Sequence, residues 1–469
     1  MIKLYNTLNK KVVPFQPIEE KIARIYTCGP TVYDHAHIGN LSSYIYADTL
    51  RRALTTDGMS VRQIMNYTDV DDKTIKRSAE TYPDIDPKEA LHKLTNEFID
   101  IFLQDIEKVS IDTKAIEFVR ATDSIEDMKR LISDLLDKQI AYTADDGVYL
   151  SIEAYKKSGK TYGQLLNISS SNTSEARINN DEYDKESIHD FALWKKQKGN
   201  EPSWEFTADS IDMTGRPGWH IECSAMSEKA LGLPFDIHTG GIDLIFPHHE
   251  NEIAQSTGAK DSDVMANYFV HSNHLLVDGK KMAKSANNFY TLQNIVDKGF
   301  DPLAFRLLVL QSHYRNESNF TWDNLGSAQN RLNHWRNISA LQWQAVDGAD
   351  NQPLIEDASK AIKTSINDDL NTPTVLMNID RVMSTLETNM LDKNSVPSFT
   401  AFLKFVDYIL GIDLFMVTDI TDSQKDLISQ REKARLEKDW ASSDELRGQL
   451  TEQGIGIRDT DHGSIWYRI

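Results

Sequence analysis

Between Arg24 and Thr27 the chain reads as a short apolar strand, broken by Cys28-Gly29-Pro30, and from Leu41 to Thr56 apolar positions recur at helical spacing. Val61 to Met65 reads as a second buried strand, and helical patterns follow from Lys88 to Val109 and from Ser124 to Lys138. Strands alternating with helices predict a parallel α/β sheet. Ala141-Tyr142-Thr143 and Val148-Tyr149-Leu150 flank Asp146-Gly147, a hairpin signal that interrupts the pattern. Ser169 to Lys185 is rich in Ser and Asn and reads as a surface loop or solvated linker. The α/β pattern resumes at Phe235–His238, followed by Thr239-Gly240-Gly241 and a helix through His248 to Gln255, so the expected sheet is split by an insertion. Beyond Thr321 the helical patterns Leu325–Gln344, Ile355–Asn367, Pro373–Thr388 and Phe399–Leu410 predict a bundle. One more helix of mixed charge follows Thr421, before the closing run Gly463 to Arg468.

A length of 469 residues implies about three domains, and 40% hydrophobic content is enough to fill their cores. Mean hydropathy is −0.47. No run approaches the ~18 apolar residues of a spanning helix and the start lacks an apolar signal core, so a cytoplasmic protein with no membrane partner is expected. Two cysteines, Cys28 and Cys223, are too few for a disulfide framework and are expected as reduced thiols. The net charge of −20 repels polyanions on average, which favours a metabolic enzyme unless a local basic surface overrides it.

Three constellations carry candidate chemistry. The loop from Thr31 to Asn40, ending His37-Ile38-Gly39-Asn40, follows a strand and opens a helix, where N–H groups and an imidazole suit an anion; a capping histidine fits the same residues equally well. Downstream, the Asp278-Gly279 turn leads into Lys280-Lys281-Met282-Ala283-Lys284-Ser285, either a solvated charge run or a cationic loop able to close over a polyphosphate. Third, His248 and Glu252 stand four residues apart, one helical face, and with Cys28 and Cys223 would offer S, N and O donors suited to tetrahedral zinc. The competing reading makes both cysteines buried small hydrophobes and the His-Glu pair an exposed helix face.

Taken together these residues resemble the cysteinyl-tRNA synthetases, class I aminoacyl-tRNA synthetases. The likeness runs through Tyr26-Thr27-Cys28-Gly29-Pro30-Thr31-Val32-Tyr33-Asp34 and His37-Ile38-Gly39-Asn40 to Asn66-Tyr67-Thr68-Asp69-Val70-Asp71-Asp72-Lys73. It continues in Arg216-Pro217-Gly218-Trp219-His220-Ile221-Glu222-Cys223-Ser224 and in Gly240-Gly241-Ile242-Asp243 to Pro247-His248-His249-Glu250-Asn251-Glu252. Asp368-Asp369-Leu370-Asn371-Thr372-Pro373 and Lys438-Asp439-Trp440-Ala441 add to it.

The resemblance implies a Rossmann-type catalytic domain split by an insertion, followed by an α-helical bundle and a small C-terminal domain. Its expected parts are the catalytic halves at 1–125 and 206–265, a connective insertion at 126–205, a stem-contact region with the lysine loop at 266–320, the bundle at 321–415 and an anticodon-binding domain at 416–469. It implies ATP-dependent activation of L-cysteine and transfer to tRNA(Cys), with ATP accompanied by Mg2+ and one zinc ion per monomeric chain. The implied metal ligands are Cys28, Cys223, His248 and Glu252, with His249 and Glu250 as neighbours. His37, Asn40, Lys281 and Lys284 are the implied catalytic residues; Gly39 and Asp243 join them at ATP, while Thr31, Thr68, Trp219 and His238 surround the amino acid. Arg431, Lys433, Arg435, Lys438 and Trp466 are candidate tRNA contacts, although interleaved Glu432, Glu437 and Asp439 suit an ordinary solvated helix as well. Two departures stand out: Ala283 where the lysine loop often carries serine, and Asn40 where the first loop usually ends in histidine. A paralogous ligase that joins cysteine to an amino sugar would share the first step, and a zinc-stabilised RNA-binding protein without catalysis is the non-enzymatic alternative.

Overall fold

The computed structural model describes residues 1–166, 190–282, 288–461 and 463–469. Its chain divides into two compact units, the first comprising Met1–Pro302, Ser312–Phe320 and Asn367–Leu370, the second the remaining helical and C-terminal segments. The Ser/Asn-rich stretch 169–185 lies outside the described residues, as do Ala283 and Lys284.

The first unit is built on a five-stranded sheet. Its order is Ala266–Ser272, Phe235–Gly241, Ile22–Thr27, Ser60–Tyr67, Ile116–Arg120, and all four pairings are parallel. Numbered along the chain these strands run 3-2-1-4-5 across the sheet, the order of a doubly wound nucleotide-binding fold. Such strands are covered on both faces, so Ile25, Tyr26, Ile64, Met65, Phe235, Ile237 and Phe269 are all buried. The crossing helix Ile38–Thr56 buries Leu41, Ile45, Leu50 and Leu54 at helical spacing.

Between the two halves of this sheet lies a second, antiparallel one. It pairs Ala141–Ala144, Gly147–Ser151, Asp190–Lys196 and Gly215–Pro217 in sequence. The inserted sheet therefore reaches beyond the boundary expected at 205, and the parallel sheet takes in Ala266–Ser272 beyond 265, because pairing sets these limits and local patterning does not. Asp72, at the start of helix Asp72–Thr81, ties that helix to the inserted sheet by accepting from Lys195 Nζ at 3.2 Å and pairing with Arg216.

The second unit contains the bundle helices Trp322–Ser339, Gln352–Ile366, Thr372–Asn389 and Val396–Leu410, packed on Trp335, Ile362, Val382 and Phe402. The tail differs from the single helix expected. It has two, Asp422–Leu436 and Trp440–Glu452, and then an antiparallel hairpin of Ile455–Thr460 with Gly463–Arg468. The break falls at Lys438, whose φ of 60° is left-handed, and Asp439 caps the second helix by accepting from Ser442 N at 3.1 Å. Two candidate tRNA contacts are interior here: Arg431 is paired through both terminal nitrogens with Asp459, and Trp466 packs in the tail core with Ile428 and Leu450. Lys433 and Lys438 are exposed, while Arg435 lies half-buried against Asp459 at 3.1 Å. Among the described residues no helix is long and apolar enough to cross a membrane.

Candidate active site and metal centre

In an open α/β sheet ligands sit beyond the carboxyl ends of the strands where the order reverses. Here that point lies between Ile22–Thr27 and Phe235–Gly241, and a cavity of about 330 Å³ opens there. The chain leaves the first of these strands at Cys28, whose N–H donates to Thr239 O at 3.1 Å. Gly29 follows because a Cβ would fall 1.8 Å from the backbone oxygen of Asn66, closer than any side chain permits. Thr31 bridges to Thr68, and Val32 N donates to Thr68 O at 3.1 Å, so this loop is anchored along the neighbouring strand.

His37 then caps the helix Ile38–Thr56, its Nδ1 accepting from Asn40 N at 3.1 Å. The capping reading of this histidine and its place at the cavity are both observed, since His37 and Asn40 line the wall. Gly39 lies beneath Met282: a Cβ there would come 2.4 Å from Met282 Cε and 2.9 Å from His37 Nδ1. The start of the lysine loop is thereby seated on the first loop. Lys281 is exposed, with its carbonyl accepting from Asn288 Nδ2 at 3.0 Å, and is not among the lining residues. Asp243, Thr31 and Trp219 line the cavity; Thr68 and His238 are buried behind it.

Cys28 belongs both to the cavity wall and to a donor cluster. Helix Trp219–Leu231 places Trp219 and Cys223 one turn apart on one face, and the turn Ile245–His249 with helix Glu250–Ala259 brings His248 and Glu252 opposite. The Sγ atoms of Cys28 and Cys223 are 4.0 Å apart, Cys28 Sγ is 3.9 Å from Glu252 Oε1, and His248 Nε2 is 3.0 Å from that oxygen. A tetrahedral ion with metal–sulfur bonds of about 2.3 Å and shorter bonds to N and O needs donor separations of roughly 3.3–3.8 Å. The cluster has that scale, and all four of its members are buried. Burial, above all, raises the Cys28 thiol well above its ordinary pKa, with Cys223 adding to the shift, and burial raises Glu252 against the pull of His238. Both groups therefore favour their neutral forms unless a cation offsets the charge, as a metal ion bound there would.

A second donor set, Cys28, His238, His249 and Glu252, overlaps the first. Cys28 Sγ is 3.4 Å from His249 Nε2, and His238 Nε2 is 2.8 Å from Glu252 Oε2. Two thiols make the first set the better match for a soft ion. His238 then stands behind the first set, joined to it through Glu252. Glu250, by contrast, points away: its carboxylate accepts from the N–H groups of Gly163, Gln164 and Leu165 at 2.5–3.0 Å.

Sequence reasoning missed the supporting imidazoles. His220 Nδ1 lies 2.9 Å from His248 Nδ1, and His271 lies 2.7 Å from His249 Nδ1 and 2.8 Å from the Thr7 hydroxyl. Burial lowers both His220 and His271 to about 3, so each is neutral. A neutral His220 is able to accept from His248 Nδ1–H, and in that tautomer the His248 Nε2 lone pair faces the cluster, the usual way an outer partner orients a ligating imidazole. Trp219 stacks on the same ring at 4.1 Å. No regular spacing links these histidines; only the folded sheet unites them.

Comparison with known proteins accords with this geometry. Residues 14–330 match the family model of the class I (C) tRNA synthetase catalytic domain, and residues 417–468 match that of the cysteinyl-tRNA ligase anticodon binding domain. The chain is 40% identical over 480 residues to the cysteine-tRNA ligase of Leptospira interrogans serovar Lai, covering 99% of each. It is 38% identical over 486 residues to that of Brachyspira hyodysenteriae, covering 100% of this chain and 99% of the relative. Among solved structures, Mycobacterium tuberculosis methionyl-tRNA synthetase bound by methionyl-adenylate aligns with a TM-score of 0.60 at 12% identity, over 85% of this chain and 93% of that one, a likeness of fold.

Proposed function

The chain belongs to the cysteinyl-tRNA synthetases of class I, and from that premise we propose that it activates L-cysteine with ATP and transfers it to tRNA(Cys), using a zinc ion held by Cys28, Cys223, His248 and Glu252. The observation that carries this reading is Cys28, which stands at once in the cavity wall and in the donor cluster, so that a metal bound there faces the substrate space. When bound, zinc supplies a soft Lewis acid for the substrate thiolate.

In the first step the cysteine carboxylate attacks the α-phosphorus of ATP and the bond to pyrophosphate breaks; in the second a terminal ribose hydroxyl of the tRNA attacks the acyl carbon and AMP leaves. The protein's work is positioning and fixed charge. His37, Asn40 and the N–H groups at the start of the Ile38–Thr56 helix receive phosphate oxygens, with Gly39 allowing close approach. Asp243, a carboxylate beside Gly240-Gly241, suits ribose hydroxyls, while Mg2+ accompanies the triphosphate. Lys281 and Lys284 offset charge on the departing pyrophosphate. Thr31 and Trp219 bound the amino-acid side, with Thr68 behind Thr31 and His238 holding Glu252. Residues 266–320 face the acceptor stem and 416–469 the anticodon in this reading, which takes the protein as a cytoplasmic monomer. The amino-sugar ligase is not favoured, because the match at 417–468 is to an anticodon-binding domain.

The direct test is cysteine-dependent pyrophosphate exchange and aminoacylation of transcribed tRNA(Cys), each lost on chelation and restored by zinc. Discrimination supplies a second result. A pocket that only packs against its substrate separates close analogues by about 1–3 kcal/mol, whereas selection without editing needs roughly 10⁴–10⁵-fold. Serine, whose hydroxyl stays protonated and hard, is therefore expected to show a kcat/KM at least about 10⁴-fold below that of cysteine; comparable rates in saturating zinc exclude thiolate selection.

Gly39→Ala probes the seat between the two loops. Its Cβ displaces Met282 and turns the His37 ring from its cap, and a disturbed cap costs about 1 kcal/mol. The KM for ATP in pyrophosphate exchange should rise several-fold with cysteine KM little changed; an unaltered ATP KM shows that the contact has no part in binding.

A further inference from the structure

A triphosphate carries about four negative charges, so the charges lining its cavity decide where it can rest. Three lining residues are carboxylates, Asp34, Asp71 and Asp243. Asn40 is neutral, and Lys281 is not in the wall. Among the described lining residues Lys73 alone is a lysine or arginine. It is half-buried, the second residue of helix Asp72–Thr81, and its Nζ lies 5.8 Å from the centroid of the Tyr33 ring, itself part of the wall. Asp71 is committed to capping that helix, accepting from Thr74 N at 2.7 Å, and the helix N-terminus adds partial positive charge on the same side.

We infer that Lys73 is a phosphate-binding residue of this site, the cation fixed in the cavity wall. The inference rests on the proposed nucleotide reading of the cavity. Phosphate could reach Lys73 from two sources, the triphosphate of ATP or the phosphates at the 3′ end of the tRNA, and the chemistry of the contact is the same: an ammonium donating to phosphate oxygens. The charge inventory ranks ATP first, since the three carboxylates would otherwise repel it.

The test compares the full chain with Lys73→Met and Lys73→Arg, using MgATP, cysteine and transcribed tRNA(Cys). If ATP is the source, Lys73→Met raises ATP KM or lowers kcat in pyrophosphate exchange by about 10- to 100-fold, the scale of one hydrogen bond to a charged group. Lys73→Arg, which keeps the charge, recovers most of that loss. If the tRNA is the source, exchange is unchanged and single-turnover transfer from preformed adenylate falls by a similar factor. Either result supports the inference. Equal activity of Lys73→Met and the parent chain in both steps overturns it, as does a loss that Lys73→Arg fails to recover while metal content and thermal midpoint match the parent. Should Lys73→Met misfold, Lys73→Gln takes its place: a loss in either step that Lys73→Arg recovers supports the charged contact, and activity equal to the parent in both steps overturns it. Failure of the parent chain to exchange pyrophosphate at all instead refutes the reading of the cavity.

Discussion

Cys223→Ser is expected to lose its metal and, with it, cysteine activation. Cys223 is almost wholly buried, 2% exposed, on the face of helix Trp219–Leu231 that meets Cys28, Glu252 and the cavity. A serine fills the position but gives a hard donor that stays protonated, so a four-donor set drops to three. Removing even an outer partner of a metal site costs about 10–100-fold in affinity or activity, and a direct ligand should cost more. We expect elemental analysis of Cys223→Ser to find well under one metal per chain and cysteine-dependent exchange to fall more than about 10²-fold. Glu250→Gln is the control. It lies two residues from Glu252, yet its carboxylate serves the backbone of 163–165, so the variant should be less stable and still bind metal. If Cys223→Ser keeps its metal while Glu250→Gln loses it, the donor set has been misassigned.

The contrast between Glu250 and Glu252 also marks how far the sequence was legible. Their spacing from His248 placed Glu252 one turn away, and the structure bears out that proximity at 3.0 Å. It does so by a route that patterning does not reveal, because Phe246 is extended, with φ −139° and ψ 134°, and the regular helix begins only at Glu250. Elements with a strong local period were readable: the pattern Lys88–Val109 forms as Pro87–Lys108, and the Asp146-Gly147 hairpin forms as expected. Starts were set by caps, which is why the first long helix begins at Ile38 behind His37, three residues ahead of its apolar pattern. The inserted sheet was only half legible, since Gly147–Ser151 pairs with Asp190–Lys196 across a long stretch of chain and no local rule announces such pairing. The second tail helix was hidden because its break uses a left-handed lysine, where Gly or Asn would have signalled it. At the site, the two cysteines are rare and chemically distinctive, but among 71 acidic residues spacing alone does not single out Glu252, and the full donor set was nameable only through the family resemblance. His220, His271 and Lys73 were not, since each acquires its role from a neighbour brought by a different strand or helix.

Ending the chain after Thr421 should separate the two steps of the reaction. Every residue lining the cavity belongs to the first compact unit, and so does every member of the donor cluster. The tail instead packs within the second unit, where Ile428, Leu450, Ile455, Ile457 and Trp466 close over Ala340, and where the Gln344 side-chain amide donates to Trp466 O and accepts from Trp466 N. Its removal uncovers Ala340 and returns Gln344 and Glu387 to water, a modest loss for the bundle that leaves the cavity's own residues in place. Pyrophosphate exchange should therefore stay within about twofold of the full chain. Charging should not. Single bases stacked on or bonded to a protein are worth about 1–3 kcal/mol each, so losing two of them lowers kcat/KM for tRNA(Cys) by roughly 10²-fold or more. The decisive quantity is the ratio of the two losses. A shortened chain that loses exchange and charging in equal measure would show that the tail sustains the fold of the whole molecule, and that its acidic and basic side chains have no separate part in holding RNA.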